Sequence, residues 1–324
     1  MNTVLIIGLG NIGMGYDLNH PSGDYVLTHA RAFQMHPQFE LIGGVDFDME
    51  RRHLFESNYG CSAYANLNEA IKATNPNVVV VSNPTEEHID TLFNILNFDS
   101  PKVVLCEKPV SFDLKKAKEI ISAFKAKKRS LYVNYMRCSD VGVAELYQRI
   151  RTGKILGPMK GVVWYTNGLL NNASHYLNLL QYLFGEIKDS TVLSAGRALN
   201  EFDVELDFQV SFQQGKFNFF ALPSEKFSHN ALEIIAANGR LRYESGGEHI
   251  IWEGIDSNKM FPERVTLSSN NEYISSDFHR IQWHVADKLS ACINGNSEQI
   301  CSGEDAVKTL EVLTNLIRDN DKDE

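Results

Sequence analysis

The sequence has no excess of basic residues. Among its 324 residues, 31 Lys and Arg stand against 41 Asp and Glu, which leaves a formal net charge of −10 at pH 7. Proteins that bind nucleic acids or anionic membranes depend on lysines and arginines that pair with phosphates. We therefore expect neither a nucleic acid nor a membrane among the partners of this chain.

Paired cysteines and long apolar runs are also missing. The cysteines are odd in number and scattered, without a C-x-x-C pair: Cys61, Cys106, Cys138, Cys292 and Cys301. They predict reduced thiols, with no disulfide framework and no metal site. No apolar run approaches the ~20 residues of a membrane span, and the N-terminal residues lack the basic start of a secretory signal. These absences predict a cytoplasmic protein.

The N-terminal part of the chain alternates short apolar runs with helical patterns. The runs predict buried strands at 4–7, 39–45, 77–81 and 102–106. The patterns between them predict helices at 28–36, 49–58, 85–96 and 113–126. Strands that alternate with helices in this way indicate a parallel sheet with right-handed crossovers.

From about residue 155 the pattern becomes that of an α+β domain with a mainly antiparallel sheet. Residues 201–212 alternate apolar and polar side chains, as a half-buried antiparallel strand does. Asn238-Gly239 lies between two apolar segments and predicts a β-hairpin over 232–243. Further strands are predicted at 159–165, 216–222 and 249–253, and helices at 174–184, 278–293 and 304–318. A chain of this length typically has about two domains, which we place at 1–135 and 136–324.

A glycine-rich turn follows the first predicted strand. Its sequence, Gly8-Leu9-Gly10-Asn11-Ile12-Gly13, has the spacing G-x-G-x-x-G. Glycines at this spacing permit a tight turn and let backbone N–H groups approach a pyrophosphate at the start of a helix. Because βαβ patterns surround the turn, we predict that five of its residues bind a dinucleotide: Gly8, Gly10, Asn11, Ile12 and Gly13. A purely structural turn is the alternative interpretation.

Asp46 ends the second predicted strand, 33 residues after Gly13. The polar, glycine-containing segment 14–27 is interpreted as an insertion that accounts for this long spacing. A carboxylate at the strand end accepts ribose hydroxyls and repels a 2′-phosphate, which favours NAD over NADP. Arg51 and Arg52 leave NADP open, and a strand-end turn residue is the simpler interpretation of Asp46.

The tripeptide Glu107-Lys108-Pro109 follows the predicted strand at 102–106. Open α/β sheets bind their ligands at the carboxyl ends of the strands, where this lysine is expected. The proline restricts the loop and so directs the lysine. By composition alone, a solvated surface lysine is the simpler interpretation of Lys108.

Taken together, these motifs resemble those of the Gfo/Idh/MocA family of oxidoreductases. The most specific matches are the turn Pro84-Thr85-x-x-His88 and the loop Glu107-Lys108-Pro109, and the tract 134–137 and the helix that begins with Ser174-His175 also match. The resemblance implies an α/β architecture: an N-terminal Rossmann domain with a doubly wound parallel sheet, then a C-terminal α+β domain with a large, open, mainly antiparallel sheet. It also implies substrate binding by the second domain and a homodimer or homotetramer.

The resemblance also implies roles for individual residues. Lys108 corresponds to the catalytic lysine that holds the substrate oxygen near the nicotinamide, and His175 to the histidine that exchanges the substrate proton. The implied cofactor contacts lie in the loops after the strands at 77–81 and 102–106: Asn83, Pro84, His88, Glu107, Lys108 and Pro109. Arg137 is implied to lie near the substrate, with a structural ion pair as the alternative, and Tyr165 is a further substrate candidate.

Two positions near His175 depart from the family pattern. The family usually has an aspartate four residues before its histidine, where this chain has Asn171, and an acid three residues after it, where this chain has Asn178. Asparagine orients an imidazole by hydrogen bonding but does not offset an imidazolium charge. We retain Asn171 as a catalytic position and expect proton transfer to depend more on Lys108.

The expected activity is therefore an NAD(P)-dependent hydride transfer between the nicotinamide and a secondary alcohol or ketone. The substrate expected from the resemblance is a carbohydrate, a polyol or a nucleotide-linked sugar. Two alternatives stay open at this point. One is an NAD-dependent glycosidase or lyase without net redox change, and the other is a cofactor-binding regulator or sensor without turnover.

Overall fold

The computed structural model describes residues 1–21, 23–222, 227–296 and 300–320. Its contacts divide the chain into two compact units. Unit 1 comprises Met1–Ser139 and His279–Lys308, and unit 2 comprises Asp140–Phe278 and Thr309–Glu324. No helix of the described ranges is long and apolar enough to cross a membrane.

The α-helices are numbered in chain order. They are α1 (His29–Met35), α2 (Met49–Tyr59), α3 (Leu67–Thr74), α4 (Thr85–Ile95), α5 (Leu114–Ala126), α6 (Val141–Arg151), α7 (Ser174–Phe184), α8 (Ile281–Ile293) and α9 (Gly303–Asn320). Side-chain caps fix several starts, because the first N–H groups of a helix have no acceptor within it. The carboxylate of Asp113 accepts the N–H groups of Lys115 and Lys116 at 2.8 and 3.1 Å, which begins α5 where the sequence predicts it.

Unit 1 contains a six-stranded parallel sheet. Its strands are β1 (Asn2–Ile7), β2 (Phe39–Val45), β3 (Ala63–Tyr64), β4 (Val78–Val81), β5 (Val103–Cys106) and β6 (Ser130–Val133). They lie in the order β3-β2-β1-β4-β5-β6, and every pair is parallel. This is the order of a Rossmann sheet, which confirms the predicted fold, and its switch point between β1 and β4 is where such sheets bind ligands.

Helix α8 belongs to unit 1, although it follows the strands of unit 2 in the sequence. Its buried side chains Val285, Ala286 and Leu289 share one apolar cluster with Phe33 of α1 and Phe39 of β2. The prediction of domains at 1–135 and 136–324 assigned α8 to the second domain. A single boundary in the sequence cannot describe a helix that returns to the first unit, because the placement of α8 depends on the apolar surface against which it packs.

Unit 2 contains an eight-stranded sheet. Its strands are β7 (Met159–Tyr165), β8 (Asp189–Ala198), β9 (Val204–Phe212), β10 (Gly215–Ala221), β11 (Ala231–Ala236), β12 (Gly239–Glu244), β13 (His249–Ser257) and β14 (Val265–Ile274). The order is β14-β13-β12-β11-β7-β10-β9-β8, and only the pair β7–β10 is parallel among these strands. The mainly antiparallel sheet and its hairpin β11–β12 confirm the predicted class of this domain.

Aromatic side chains join α7 to one face of the sheet in unit 2. Phe184, at the end of α7, stacks on Phe217 of β10 with ring centroids 5.1 Å apart and lies 5.9 Å from the ring of Phe212. Near the start of the helix, the ring of Tyr176 meets that of Tyr243 edge-on at 6.1 Å. Contacts at both ends therefore fix the position of the helix that carries His175.

The packing of α8 leads to a prediction about stability. Leu289 is 0% exposed, whereas Leu54 on α2 is 43% exposed. We expect Leu289→Ala to lower the free energy of unfolding by about 2–5 kcal/mol, because the truncation leaves a cavity. The same change at Leu54 should lower it by less than about 0.5 kcal/mol. Chemical denaturation followed by circular dichroism measures both, and equal small losses would contradict the placement of α8 in the core.

Candidate functional site

The glycine turn lies at the carboxyl end of β1, beside the switch point of the sheet. Gly8 has φ = +90°, and a Cβ on it would lie 2.4 Å from the backbone nitrogen of Asn83. A Cβ on Gly13 would lie 2.1 Å from the carbonyl oxygen of Gly8. Both contacts are too close for a side chain, so the fold itself requires glycine at these two positions.

Gly10 differs from the other two glycines of the motif. Its φ is −77°, which any residue adopts. A Cβ on Gly10 would come within 4 Å of one described group, the guanidinium of Arg51 at 3.8 Å. Since neither backbone conformation nor packing requires glycine here, the open space beside Gly10 fits a ligand that approaches the backbone closely.

A single wide helical turn, Asn11–Gly15, follows the glycines. The N–H groups of Gly15 and Tyr16 donate to the carbonyls of Gly10 and Asn11 at 3.1 and 2.9 Å. The side chain of Asn11 is exposed and that of Ile12 is half-buried. The helical geometry ends after this turn, and α1 begins only at His29, which agrees with the predicted insertion at 14–27 and the predicted helix at 28–36.

A buried carboxylate closes this insertion. Asp17 is 0% exposed and accepts hydrogen bonds from the N–H groups of Leu27 and Thr28 at 2.7 and 3.0 Å and from the Thr28 hydroxyl at 2.8 Å. The guanidinium of Arg31 lies 3.6 Å from the same carboxylate and donates to the carbonyl of Tyr25 at 3.0 Å. The composition of the segment predicts only a loop; nothing in it indicates that Asp17 holds the start of α1.

Asp46 lies at the carboxyl end of β2, next to the glycine turn. Its Oδ2 accepts the N–H of Leu9 at 2.8 Å, and its Oδ1 accepts the N–H of Asp48 at 2.9 Å. The guanidinium of Arg51 lies 3.6 Å from Oδ2 and is half-exposed. The structure thus places Asp46, the residue predicted to bind the ribose, beside the glycine turn. Arg51, which the sequence analysis names as a possible partner of the NADP 2′-phosphate, lies next to it.

His88 joins the loop after β4 to the loop after β5. Its Nδ1 lies 3.0 Å from the carbonyl oxygen of Pro109, and its Nε2 lies 2.9 Å from that of Asn83. The side chain is 1% exposed, and burial lowers the pKa of His88, an effect that the two carbonyl contacts oppose. His88 therefore connects the two loops that are predicted to contact the cofactor. Pro84, a further predicted cofactor contact, is exposed at the start of α4.

Glu107 is the centre of a hydrogen-bond network at the end of β5. Its Oε1 lies 2.8 Å from Nε2 of His29 and accepts a bond of 2.6 Å from Nδ2 of Asn134. The same amide nitrogen donates to Oε1 of Gln282 at 3.2 Å. The other carboxylate oxygen of Glu107, Oε2, accepts the backbone N–H of Lys108 at 3.3 Å. The network thus gathers residues from α1, from the end of β6 and from α8 around the residue before Lys108.

The same contacts set the charge of Glu107. Burial raises the pKa of Glu107, but hydrogen bonds from His29 and Asn134 and the charge of Lys108 lower it more, so the carboxyl titrates below its usual range. A carboxylate oxygen only accepts hydrogen bonds, so Nε2 of His29 carries the proton. The sequence motif indicates Glu107 and Lys108 but not His29, because His29 and its partner Glu107 lie 78 residues apart in the chain.

In unit 2, His175 lies in the first turn of α7 and is 6% exposed. The preceding turn, Leu169–Ala173, is held by Asp203, whose carboxylate accepts the N–H groups of Leu170 and Asn171 at 2.9 and 3.1 Å. Burial raises the pKa of Asp203, and these backbone hydrogen bonds partly offset the rise. Asp203 is an acid near the histidine helix that the sequence pattern did not indicate.

The two asparagines near His175 have different surroundings. The side chain of Asn171 is exposed, whereas that of Asn178 is buried and donates through Nδ2 to the hydroxyl of Thr309 at 3.1 Å. That hydroxyl in turn donates to Gln181 at 2.6 Å. Asn178 therefore contributes to the packing of α7 within unit 2, and the catalytic role of Asn171 stays a prediction.

Tyr165 lies in the core of unit 2. It is 0% exposed, and its hydroxyl donates to the carbonyl of Leu206 at 2.6 Å and accepts the N–H of the same residue at 3.0 Å. Burial raises the pKa of Tyr165 well above its usual range. The side chain is fully buried and its one O–H donor is used within the core, as in a structural residue of the β7–β9 region. A substrate role for Tyr165 stays a prediction.

Arg137 lies in unit 1, in the short helical turn Met136–Ser139, and is 7% exposed. A substrate role for it stays a prediction. Among the described residues, no group of three or more His, Cys, Asp and Glu side chains is placed to hold a metal ion.

Comparison with protein families identifies the domain that carries the glycine turn. Residues 3–135 match the Gfo/Idh/MocA oxidoreductase family, in its NAD-binding Rossmann fold. The match to the Gfo/Idh/MocA family is thus established for the N-terminal domain, residues 3–135. The predicted resemblance is thereby confirmed, and the oxidoreductase and NAD-binding assignments hold for the family.

The similarity to curated relatives is partial. An inositol 2-dehydrogenase of Renibacterium salmoninarum is 33% identical over 110 residues, which are 34% of this chain and 33% of the relative. An inositol 2-dehydrogenase of an Arthrobacter species is 30% identical over 173 residues, 49% of this chain and 50% of the relative. The matched parts thus span between a third and a half of these two relatives.

Solved structures share the whole fold at low sequence identity. The WlbA dehydrogenase from Bordetella pertussis, in complex with NADH and UDP-GlcNAcA, has a TM-score of 0.73 at 16% identity, covering 100% of this chain and 96% of that chain. This likeness extends the shared fold to both units, and at such identity it concerns the fold alone.

The glycine geometry leads to a prediction that separates binding from folding. We expect Gly10→Ala to change the free energy of unfolding by less than about 0.5 kcal/mol but to weaken NAD(H) binding at least about tenfold, because the methyl group occupies the ligand's space. Gly8→Ala should lower stability by about 1–3 kcal/mol, because of its positive φ. Thermal unfolding and NADH fluorescence titration measure the two effects, and unchanged binding by Gly10→Ala would contradict the assignment.

A second prediction concerns Tyr165. Removal of its hydroxyl in Tyr165→Phe leaves the N–H and carbonyl of Leu206 without that partner, so we expect a loss of about 1–3 kcal/mol in the free energy of unfolding. Tyr273 is 72% exposed, and Tyr273→Phe is the matched control, with an expected change below about 0.5 kcal/mol. Equal effects in chemical denaturation would show that the Tyr165 hydroxyl has no structural role.

Proposed function

We propose that this chain is an NAD(P)-dependent dehydrogenase or reductase that interconverts a secondary alcohol and a ketone on a sugar-like substrate. The observation that carries the proposal is the position of Lys108: it follows β5 at the carboxyl edge of the sheet, directly after Glu107, which is largely shielded from solvent and ionised. The match of residues 3–135 to a family with an NAD-binding Rossmann fold supports a nicotinamide cofactor at this edge.

The residues of unit 1 fit such a cofactor. The space beside Gly10 would hold the pyrophosphate, and the N–H groups at the start of the following turn would donate hydrogen bonds to it. The carboxylate of Asp46 would accept hydrogen bonds from the ribose hydroxyls. When bound, the nicotinamide supplies the hydride acceptor or donor. Asp46 favours NAD, while the neighbouring Arg51 offers a partner for a 2′-phosphate, so we propose NAD with residual use of NADP.

In this proposal, Lys108 holds the substrate oxygen and stabilises the negative charge that develops on it during hydride transfer. A lysine next to an ionised carboxylate favours the ammonium form, which is the form that donates a hydrogen bond to an alkoxide. His175 of unit 2 exchanges the hydroxyl proton, a task suited to imidazole near neutral pH. The replacement of the usual acids by Asn171 and Asn178 puts more of the charge stabilisation on Lys108.

For the substrate, we propose a carbohydrate, a polyol or a nucleotide-linked sugar. Relatives named inositol 2-dehydrogenase and a fold relative that binds UDP-GlcNAcA support this class. A cytoplasmic location and a homodimer or homotetramer stay predictions from the sequence. Regulator and redox-neutral functions are the outcomes that the following experiment separates.

The test of the function is a screen for NADH and NADPH formation with free sugars, polyols and nucleotide-linked sugars. We expect substrate-dependent reduction that falls at least about 10²-fold in Lys108→Met, because the variant lacks the charge that stabilises the alkoxide. Lys102→Met, at an exposed lysine just before β5, is the matched control and should keep the activity.

The outcomes of this screen distinguish the candidate functions. Reduction that survives unchanged in Lys108→Met would contradict the proposed role of the lysine. Cofactor binding without turnover of any substrate in the panel would favour a regulator. Conversion of a glycoside without accumulation of NADH would favour the redox-neutral reaction.

Cofactor choice is tested separately at Asp46. Asp46→Asn keeps an acceptor for the N–H of Leu9 but removes the charge, so we expect about tenfold weaker NAD binding and a smaller preference over NADP. Arg51→Leu should weaken NADP binding more than NAD binding. Asp48→Asn, which keeps the cap of α2, is the control. Equal effects of Asp46→Asn and Asp48→Asn on NAD affinity would exclude a ribose contact by Asp46.

A further inference from the structure

His29 occupies an unusual position for a buried histidine. It is the first residue of α1, it is 1% exposed, and its Nε2–H donates to Oε1 of Glu107 at 2.8 Å. Its other ring nitrogen, Nδ1, is buried and has no hydrogen-bond partner among the described residues. Within the described residues, Nε2 is thus the ring nitrogen that is hydrogen-bonded, and Glu107 is its partner.

The position of His29 is itself fixed by the insertion that precedes α1. The Thr28 side chain caps the helix by accepting the N–H of Arg31 at 3.4 Å, and its hydroxyl donates to the buried carboxylate of Asp17 at 2.8 Å. A continuous series of contacts therefore runs from Asp17 through Thr28 and His29 to Glu107. Glu107, the last residue of this series, accepts the backbone N–H of Lys108.

We propose that His29 is a positioning residue for Lys108, and that it acts through the carboxylate of Glu107. The proposal rests on the function proposed above, in which Lys108 touches the substrate. His29 and Asn134 donate to one oxygen of Glu107, which leaves the other oxygen directed at the Lys108 backbone. The donors keep this carboxylate ionised and in place, and its charge in turn favours the ammonium form of the neighbouring lysine.

The charged and titratable groups around Glu107 support this direction of action. His29 and Lys108 lower the pKa of Glu107, and the charge of Glu107 acts on His88 and on the thiol of Cys106. Asn134 and Gln282 complete the surroundings as neutral groups. Among the contacts that lower the pKa of Glu107, the hydrogen bond from His29 has the largest effect, so His29 is the member of the set whose removal should change the carboxylate most.

The chain offers a matched control in His36, at the other end of α1. It is 2% exposed, and its Nε2 lies 3.2 Å from Oδ1 of Asp287, so it is also a buried histidine paired with a carboxylate. Asp287, however, is 57% exposed and lies on α8. A purely structural contribution of a buried histidine should therefore appear in His29→Leu and His36→Leu alike.

The test measures the reactivity of the Lys108 amine, which does not require a known substrate. Each variant is labelled briefly with acetic anhydride near pH 8, and the acetylation of Lys108 is quantified by mass spectrometry relative to the exposed Lys72. Only the neutral amine reacts, so loss of the Glu107 charge or position increases the labelling of Lys108. We expect an increase of at least about threefold in His29→Leu and in Glu107→Gln.

Further variants show whether His29 acts through Glu107. The double variant His29→Leu/Glu107→Gln should label no faster than Glu107→Gln alone, since the carboxylate on which His29 acts is already gone. His29→Gln, whose amide nitrogen reaches the position of Nε2, should stay near the wild-type rate. If His29→Leu does not fold, His29→Asn replaces it, because its shorter amide does not reach Glu107.

Three results would overturn the proposal: wild-type labelling in His29→Leu, an equal increase in His36→Leu, or additive increases in the double variant. Titration of NADH into the same samples tests the proposed function independently. Altered Lys108 labelling without NADH binding would contradict the proposed function and leave the coupling between His29 and Lys108 supported.

Discussion

The hydrogen bonds to the carboxylate of Glu107 are the constraint on which the candidate site depends. A charge with so little exposure is stable only when donors surround it, and the donors here come from α1, from the residue after β6 and from the following peptide. The sheet provides the strand end, but it is this network that holds three separate segments against one side chain. The backbone N–H of Lys108 donates to the same carboxylate, so the network also holds the start of the lysine's loop.

Unit 2 fixes its candidate residue by different means. Packing of aromatic rings against Phe184 and Tyr176 holds α7 on the sheet, and the half-buried carboxylate of Asp203 holds the turn before it. In both units, carboxylates with little exposure thus order the loops beside generic layers of secondary structure. The secondary-structure layers are common to many proteins, whereas the loops and their carboxylates are specific to the site, in agreement with the observation that function depends on sites added to a fold.

The sequence predicts the central strands well, because each is an apolar run or a regular alternation. It misses β8 and β14, which lie at the two edges of their sheet and are exposed along most of their length, so no alternation marks them. In the site, the glycine turn and the loop with Lys108 are recognised from local spacing. His29 and Asp203 are not, because their partners are 78 and 33 residues away.

The most direct test of this account is a crystal structure of the protein with NAD bound. We expect the pyrophosphate against the backbone at Gly10, the ribose hydroxyls within hydrogen-bond distance of Asp46, and the nicotinamide beside Lys108. A dinucleotide bound away from Gly10 and Asp46, or a nicotinamide that does not approach Lys108, would contradict the proposed site and the chemistry assigned to its lysine.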